Sequence, residues 1–310
     1  MRLYYEKETD LELWLDWLEN NSHSELLHAQ KLFHSKKIQW NMTKDQYQNN
    51  IEKIKYYLKE GDIYQVNFAQ RFCVHGSIDD FISLLPSVTQ EPHGAYLNFP
   101  DNHILSFSME RFIKISGDEI LTQPIKGTVA KGCSKAQDDQ NKKWLENSYK
   151  NAAEHVMIVD LERNDLSQVC QVGSINVPVL KRLYTFSTLH HLVSTVQGRL
   201  LKYVSFIDVL RAVFPGGSIT GAPKLAAQQI IEELEPVCRG LYTGSIGFID
   251  STGFVDFNIA IRTLIHRNGF HYYSVGGGIV YDSTWEEEYE ETLVKSQIIL
   301  EYLGKGHRSL

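Results

Sequence analysis

Residues Thr243–Tyr281 read TGSIGFIDSTGFVDFNIAIRTLIHRNGFHYYSVGGGIVY, with runs of apolar and aromatic residues separated by two short turn sequences. The turn sequences are DSTG at Asp250–Gly253 and HRNG at His266–Gly269. Turns this short join strands that run in opposite directions, because a parallel connection needs a crossover of a dozen or more residues. The stretch therefore predicts antiparallel strands.

Other strand patterns along the chain also come in runs. They are IYQVNFAQRFCV, GAYLNF, HILSFS, RFIKIS, GSINVPVLKRLYTF and HHLVSTVQGRL. Helical patterns occur near DLELWLDWLEN, after an N-cap at Thr43 with a stop at Gly61, over residues 137–171, after Pro223, and from TWEEEYEETL onward. Runs of strands with short turns favour an α+β class over a doubly wound parallel sheet.

Composition excludes several classes of protein. The chain has 310 residues, 43% hydrophobic and 22% charged, with a net charge of −7, as expected of a folded domain. It has no basic tract, so the electrostatic footprint of a nucleic-acid-binding protein is absent. The N-terminus has no signal-peptide pattern, and no run reaches the about 18 apolar residues of a membrane span. Four widely spaced cysteines form no CxxC pair, so we expect a reduced cytoplasmic protein.

Lys126, in the stretch LTQPIKGTVAKG, stands directly before Gly127. Glycine allows a conformation that larger residues resist, so the chain has room there to approach another group closely. A lysine in a turn is more often simply solvated. From its own residues this stretch leaves both interpretations open.

Glutamates on two helices form a candidate Mg²⁺ site. Glu288, Glu291 and Lys295 share one face of the last helix, and Glu154 precedes an apolar run in another helix. A hard divalent cation held by carboxylates from both helices would compensate a buried carboxylate. A solvated charged face, or an ion pair with arginine, explains the same pattern. Gly276–Gly278 inside an apolar strand suggest close approach of a ligand or another backbone.

Three further features carry weaker signals. FPGGSITGAPK, ending at Lys224, delivers a helix N-terminus that suits an anion, although it lacks the spacing of a phosphate-binding P-loop. Arg262 interrupts the apolar pattern of NIAIRTLI, where a strand guanidinium would suit a carboxylate. His191, in HHLVS, fits either a site or a satisfied core histidine.

Taken in order, these motifs resemble the chorismate-utilising enzymes, which include the anthranilate, aminodeoxychorismate, isochorismate and salicylate synthases. The motifs are GDIYQVNFAQRF, SMERF, QPIKGT, EHVMIVDLERNDL, HHLVSTVQG, FPGGSITGAPK, GLYTGSIGFI, NIAIRTL and GGGIVYDSTWEEEYEET. The resemblance implies mainly antiparallel sheets forming a sandwich, with helices packed outside. It also implies a short N-terminal segment of unknown role at residues 1–42, a catalytic domain at 43–303 and a tail at 304–310.

Two positions select a reaction within the family. Family members that add water to chorismate carry a lysine base at the position of Gln65, whereas the ammonia-using members carry glutamine. Anthranilate synthases read PIAGT, and PIKGT is characteristic of aminodeoxychorismate synthases. The resemblance therefore implies that Lys126 attacks chorismate at C2 and that ammonia then enters at C4, giving 4-amino-4-deoxychorismate for 4-aminobenzoate and folate synthesis. Anthranilate formation, or a non-catalytic chorismate-binding subunit, are the alternatives.

The same resemblance assigns roles to the remaining residues. Glu110 is the expected general acid, and His191 an active-site residue whose role stays open. The expected Mg²⁺ ligands are Glu154, Glu288 and Glu291. The expected chorismate contacts are Tyr242, Arg262, Gly276, Gly277, Gly278 and Lys295. The chain shows no glutaminase signature, so we expect a separate glutamine amidotransferase subunit to supply ammonia.

Overall fold

The computed structural model describes residues 38–88, 91–185 and 189–302. The helix expected at DLELWLDWLEN and the tail at 304–310 lie outside the described residues. The described strands, in chain order, are β1 (Gln39–Trp40), β2 (Gln65–His75), β3 (Ala95–Asn98), β4 (His103–Ser106), β5 (Arg111–Ser116), β6 (Glu119–Gln123), β7 (Ile125–Ala130), β8 (Asn176–Thr185), β9 (Leu189–Arg199), β10 (Gly221–Ala222), β11 (Gly247–Ile249), β12 (Val255–Asn258), β13 (Thr263–Arg267) and β14 (Phe270–Ile279).

Eight α-helices are described between these strands. They are α1 (Lys44–Glu60), α2 (Ile78–Ile82), α3 (Leu85–Val88), α4 (Lys135–Asn147), α5 (Tyr149–Ser167), α6 (Phe206–Val213), α7 (Lys224–Leu234) and α8 (Trp285–Tyr302). A 3₁₀ turn at Gly217–Ile219 precedes α7. None of the described helices is both long and apolar enough to cross a membrane.

The strands form two seven-stranded sheets in which every pairing is antiparallel. The first has the order β1-β2-β14-β13-β4-β3, with β10 paired to β2. The second has the order β11-β12-β5-β6-β9-β7, with β8 paired to β9. The expected α+β class with mainly antiparallel sheets is confirmed.

Helices cover each sheet with an apolar core. Helices α1, α7 and α8 pack on the first sheet, where Ile51 and Ile54 of α1 lie in one cluster with Phe68 of β2. Helices α5 and α6 pack on the second sheet, where Val159 of α5 lies with Phe112. Each large apolar side chain buried in this way contributes about 2 kcal/mol, so the packing holds the sheets against their helices.

The capping signals of α1 are confirmed. Thr43 accepts a hydrogen bond from the N–H of Gln46, whose side chain accepts one from the N–H of Thr43, so the two form a capping box. Gly61 ends the helix with φ 84°, the left-handed conformation that favours glycine. The helical region predicted at 137–171 is two helices, because the chain is extended at Ser148 between α4 and α5.

The hairpin turns join strands as expected, but FVDFNIAIRTLIHR is not one strand. It ends in the second sheet at Asn258 and resumes in the first sheet at Thr263. The connecting residues form a tight turn, because the N–H of Ile261 bonds the carbonyl of Ile259 and Arg262 has φ 50°. The prediction that Arg262 lies within a strand is therefore wrong, and the residue marks the crossing between the sheets.

Candidate active site

Lys126 lies on β7 at an irregularity of the sheet. The pairing of β7 with β9 shifts register between Lys126 and Thr128, and the intervening Gly127 has φ 74°. A side chain at position 127 would be strained in this conformation. The glycine after the lysine thus permits the bulge that aims Lys126, which is half-buried, away from the regular ladder.

The amine of Lys126 reaches across to the backbone of the other sheet. A methyl group placed on Gly278 of β14 would lie 2.9 Å from Lys126 Nζ and 2.6 Å from Gln65 Nε2. Gln65 is fully buried, and neither amide atom of its side chain has a hydrogen-bond partner among the described residues. The absence of a side chain at Gly278 creates the space in which Lys126 and Gln65 meet.

Burial lowers the pKa of Lys126 below its usual value, because desolvation disfavours the ammonium form. The Glu154 carboxylate opposes this shift, the Lys295 ammonium reinforces it, and Glu110 and Glu291 oppose it more weakly. The net direction favours a neutral amine, which is the nucleophilic form of lysine.

The pKa of Glu110 is shifted upward, in the opposite direction to that of Lys126. It lies directly before β5 and is buried, and Ser218 Oγ donates a hydrogen bond to its Oε1 at 2.6 Å. Burial raises the pKa of Glu110 to about 7, against the lowering effects of the Ser218 hydrogen bond and the Lys126 charge. A carboxyl group with this pKa holds a proton near neutral pH and can donate it.

The glycine-rich stretch before α7 serves this acid rather than a free anion. Its Ser218 lies in the 3₁₀ turn Gly217–Ile219 and supplies the hydroxyl that binds Glu110. Lys224 pairs with Asp165 at 2.5 Å and donates to the carbonyl of Val213 at 3.2 Å. The lysine expected to hold an anion is therefore engaged with α5.

Two of the expected metal ligands converge on Gly277. A methyl group at that position would lie 3.0 Å from Glu288 Oε2 and 3.3 Å from Glu291 Oε1. Glu288 is buried and accepts a hydrogen bond from Ser283 Oγ at 2.6 Å. Glu291 pairs with Lys295, whose Nζ also donates to the carbonyl of Gly276 at 3.0 Å.

Glu154, the third expected ligand, is half-buried on α5 and close enough to Lys126 to influence its pKa. Within the described ranges, no group of three or more histidine, cysteine or carboxylate side chains is assembled at metal-binding distance. The oxygen donors nevertheless fit Mg²⁺, which is usually held by one or two carboxylates and completes its shell with water and substrate.

The remaining predicted residues supply polar groups from both sheets. Arg262 is half-buried at the crossing between the sheets, and burial lowers the pKa of its guanidinium. Tyr242 is buried, which raises the pKa of its hydroxyl well above the usual value. His191 Nδ1 lies 2.9 Å from Thr128 Oγ1, and burial lowers the pKa of His191 to about 3, so its ring is neutral.

Three polar residues near the site did not emerge from the sequence. Ser218 binds Glu110, His155 Nε2 lies 2.6 Å from Ser194 Oγ, and Glu162 Oε1 accepts the N–H of Gly217 at 3.1 Å. Helical spacing carries a signal for two of them. His155 and Glu162 are seven residues apart in one helix, so they share the face that carries buried Ile158 and Val159.

A sequence model of a family described as chorismate binding enzyme matches residues 2–301. The chain belongs to this family. The match spans the described elements that carry Lys126, Glu110 and the glutamates of α8. It also explains the fold, because solved members of similar architecture are known.

Individual relatives within the family carry two different names. The chain is 46% identical over 269 residues to "Aminodeoxychorismate synthase component 1" of Escherichia coli K12. The aligned region covers 86% of this chain and 59% of the relative. The chain is 40% identical over 254 residues to "Anthranilate synthase component 1 3" of Haloarcula marismortui, covering 81% of this chain and 50% of the relative. The chain thus spans little more than half the length of these relatives.

A solved structure shows the same architecture. Anthranilate synthase component I from Streptococcus pneumoniae TIGR4 superposes with a TM-score of 0.79 at 30% identity, covering 96% of this chain and 66% of that one. The two-sheet fold with outer helices is therefore shared with a chorismate binding enzyme of known structure.

Proposed function

We propose that this chain is the chorismate-aminating component of an aminodeoxychorismate synthase, which converts chorismate and ammonia to 4-amino-4-deoxychorismate. The observation that carries the proposal is a half-buried Lys126 with a lowered pKa, aimed at the gap left by Gly278 beside Gln65. Three relatives with 44–46% identity bear the name aminodeoxychorismate synthase component 1, which supports it.

Lys126 is the nucleophile in the first half of the proposed reaction. Its neutral amine forms a bond to C2 of chorismate, the ring double bonds shift, and the C4–O bond breaks. Glu110 donates its proton to the departing hydroxyl group, which leaves as water. A covalent lysine adduct results.

Ammonia completes the reaction. It bonds to C4, the ring double bonds shift back, and the C2–N bond to Lys126 breaks, which restores the free amine. The proton lost by ammonia returns to Glu110. The net change is exchange of the C4 hydroxyl for an amino group, with release of one water molecule.

The other residues of the site bind and orient the substrate. We propose that Arg262, Tyr242 and the backbone of Gly276–Gly278 hold the enolpyruvyl carboxylate, and that Lys295 contacts the ring carboxylate. His191, being neutral, contributes a hydrogen bond rather than a charge. Gln65 offers an amide, not a base, opposite the reacting ring.

We also propose that Mg²⁺ binds to Glu154, Glu288 and Glu291. When bound, it supplies positive charge for a substrate carboxylate and for the clustered glutamates. In the structure Lys295 Nζ lies 2.6 Å from Glu291 Oε1. When Mg²⁺ binds Glu291, Lys295 would leave this carboxylate and contact the substrate instead.

A partner is part of the proposal. The word "component" in the names of the relatives implies a second subunit. Ammonia is largely protonated at neutral pH and ammonium is not a nucleophile, so we propose that a glutamine amidotransferase delivers it unprotonated. The division into residues 1–42, 43–303 and 304–310 and the cytoplasmic location stay predictions.

Anthranilate synthesis is the second candidate, supported by the relatives and the solved structure that carry that name. It requires ammonia to attack C2 directly. Lys126 occupies the approach to that carbon in the proposed geometry, which favours amination at C4. A purely binding role is disfavoured because a lysine with a lowered pKa lies close to a buried carboxyl group with a raised pKa.

Product identification tests the proposal. Purified protein with chorismate, Mg²⁺ and ammonium at alkaline pH should form 4-amino-4-deoxychorismate without releasing pyruvate. With chorismate and no ammonia, an adduct should accumulate on the peptide containing Lys126 and be absent from Lys126→Ala. Anthranilate with pyruvate as the main product would instead establish the second candidate, and chorismate binding without any product would establish the binding role.

A further inference from the structure

Glu162 is a buried carboxylic acid that the proposed reaction does not use. It lies on α5 and is only 3% exposed. Its Oε1 accepts the N–H of Gly217 at 3.1 Å. The next residue, Ser218, donates its hydroxyl to Glu110 Oε1 at 2.6 Å. Two buried carboxyl groups therefore hold neighbouring residues of one 3₁₀ turn.

The contact with the turn is close and specific. A methyl group on Gly217 would lie 2.6 Å from Leu161 Cδ2 and 3.2 Å from Glu162 Oε1, so only glycine lets the turn approach α5 this closely. Thr220 Oγ1 donates to the carbonyl of Gly216 at 2.9 Å and holds the other side of the turn. The position of Ser218 is thus fixed by its neighbours and not by Glu110 alone.

We propose that Glu162 is a positioning residue for Glu110: it anchors the turn that presents Ser218 to the acid. The inference rests on the proposed function in one respect, namely that Glu110 acts as the acid. The anchoring is a property of the chain itself.

Three charged groups surround Glu162. Asp165 follows on the same helix, Lys224 approaches from α7, and Glu110 approaches from the residue before β5. Burial raises the pKa of Glu162 to about 8, and the Asp165 charge adds to this, while Lys224 acts against it. Glu110 raises the pKa of Glu162 further, whereas the N–H of Gly217 lowers it.

The hydrogen bond from Ser218 lowers the pKa of Glu110, so displacement of the turn should raise that pKa further. Glu162→Gln keeps an oxygen for the N–H of Gly217, whereas Glu162→Ala removes it.

The first test is the pH dependence of the rate with ammonium as the nitrogen source. The ratio of variant to wild-type rate cancels the ionisation of ammonia itself. For Glu162→Ala we expect this ratio to rise by up to about tenfold between about pH 6 and about pH 8.5 for each unit by which the pKa of Glu110 rises when the Ser218 hydrogen bond is lost. Glu162→Gln, which keeps an acceptor for the N–H of Gly217, should restore a ratio near unity at every pH. Asp160→Asn, an exposed change on the same helix, is the control with a flat ratio.

The second test does not need activity. The pKa of Glu162 is raised from 4.5 to about 8 in the folded protein, so its contribution to stability is full below about pH 4.5 and is lost as the pH rises through about 8. Relative to wild type, the urea midpoint of Glu162→Gln should therefore rise across this range. Asp160→Asn should show no such trend.

The outcomes separate the inference from the proposed function. If wild type makes no aminated product but the urea midpoints diverge with pH, the burial of Glu162 against the turn stands and the proposed function fails. If product forms but Glu162→Ala keeps the pH profile of wild type, the positioning role is refuted. Parallel urea midpoints would refute the burial of the Glu162 carboxyl group against the turn.

Discussion

A single methyl group at Gly278 should disable Lys126 while leaving the fold intact. Gly278 lies on β14 and is not among the residues with positive φ, so alanine can adopt its backbone conformation. The added methyl would lie 2.6 Å from Gln65 Nε2 and 2.9 Å from Lys126 Nζ. Ordinary contact begins at 3.4 Å, so the amide must retreat by about 0.8 Å and the amine by about 0.5 Å.

The size of the effect follows from these displacements. A shift of about 1 Å in a reacting group costs up to about 10²-fold in rate, so adduct formation in Gly278→Ala should slow by about tenfold to 10²-fold. That corresponds to about 1.4–2.8 kcal/mol of activation free energy. Overpacking costs about 1–3 kcal/mol of folding stability, and the lower entropy of alanine in the unfolded chain offsets about 0.4–1 kcal/mol of this.

The adjacent glycine provides a matched control. The side chain of residue 277 would point to the opposite face of β14, 3.0 Å from Glu288 Oε2 and 3.3 Å from Glu291 Oε1. Gly277→Ala should therefore raise the Mg²⁺ concentration needed for half-maximal activity and leave the adduct rate at saturating Mg²⁺ nearly unchanged. Gly278→Ala should remain slow at every Mg²⁺ concentration.

The assay is the growth of the covalent adduct after mixing with chorismate without ammonia, measured by mass spectrometry of the peptide that contains Lys126. Thermal unfolding of both variants shows whether each is folded. An adduct rate in Gly278→Ala equal to that of wild type would refute the placement of Lys126 against Gly278. Equal Mg²⁺ dependence in both variants would refute the assignment of the two glycines to different faces.

Two further predictions concern the metal and the acid. Removal of Mg²⁺ by excess chelator should abolish turnover. Glu154→Gln should raise the Mg²⁺ concentration needed for half-maximal activity at least tenfold, measured by titrating the ion back. Full turnover after exhaustive chelation would contradict the proposed metal site. The Glu110 carboxyl group has its pKa raised to about 7 and acts when protonated, so activity should decline as the pH rises through about 7, after correction for ammonia ionisation. Glu110→Gln should lose that decline along with at least about 10² of the rate, and a pH profile like that of wild type would exclude Glu110 as the acid.

The fold was predictable where local patterns agree with global packing. The short turn sequences at Asp250–Gly253 and His266–Gly269 imply antiparallel pairs, and the structure has them. The switch of sheets between Asn258 and Thr263 was not predictable, because an apolar run with one arginine has the same periodicity whether or not it is broken. The left-handed backbone of Arg262 leaves no local sequence signal, since arginine is not a residue that favours it.

The site was predictable where the chemistry needs an unusual residue in an unusual place. A lysine before glycine and three glycines in a strand violate ordinary strand composition, and these positions meet at Gly278. Ser218 and Glu162 escaped detection because their roles depend on a turn packing against a helix far away in sequence. Neither residue type is unusual at its position, so only the three-dimensional contact distinguishes them.

Burial shifts the pKa values of both groups that we propose to react. Burial favours the neutral form of any ionisable group, so it lowers the pKa of Lys126 and raises that of Glu110. In water the same amine and acid would exchange a proton and become an ion pair, which is inert for the proposed attack and for protonation of the leaving group. Burial between the two sheets shifts both pKa values against that ion pair. A substitution that admits water near Gly278 should therefore impair nucleophile and acid together, and its effect on rate should exceed that of losing either contact alone.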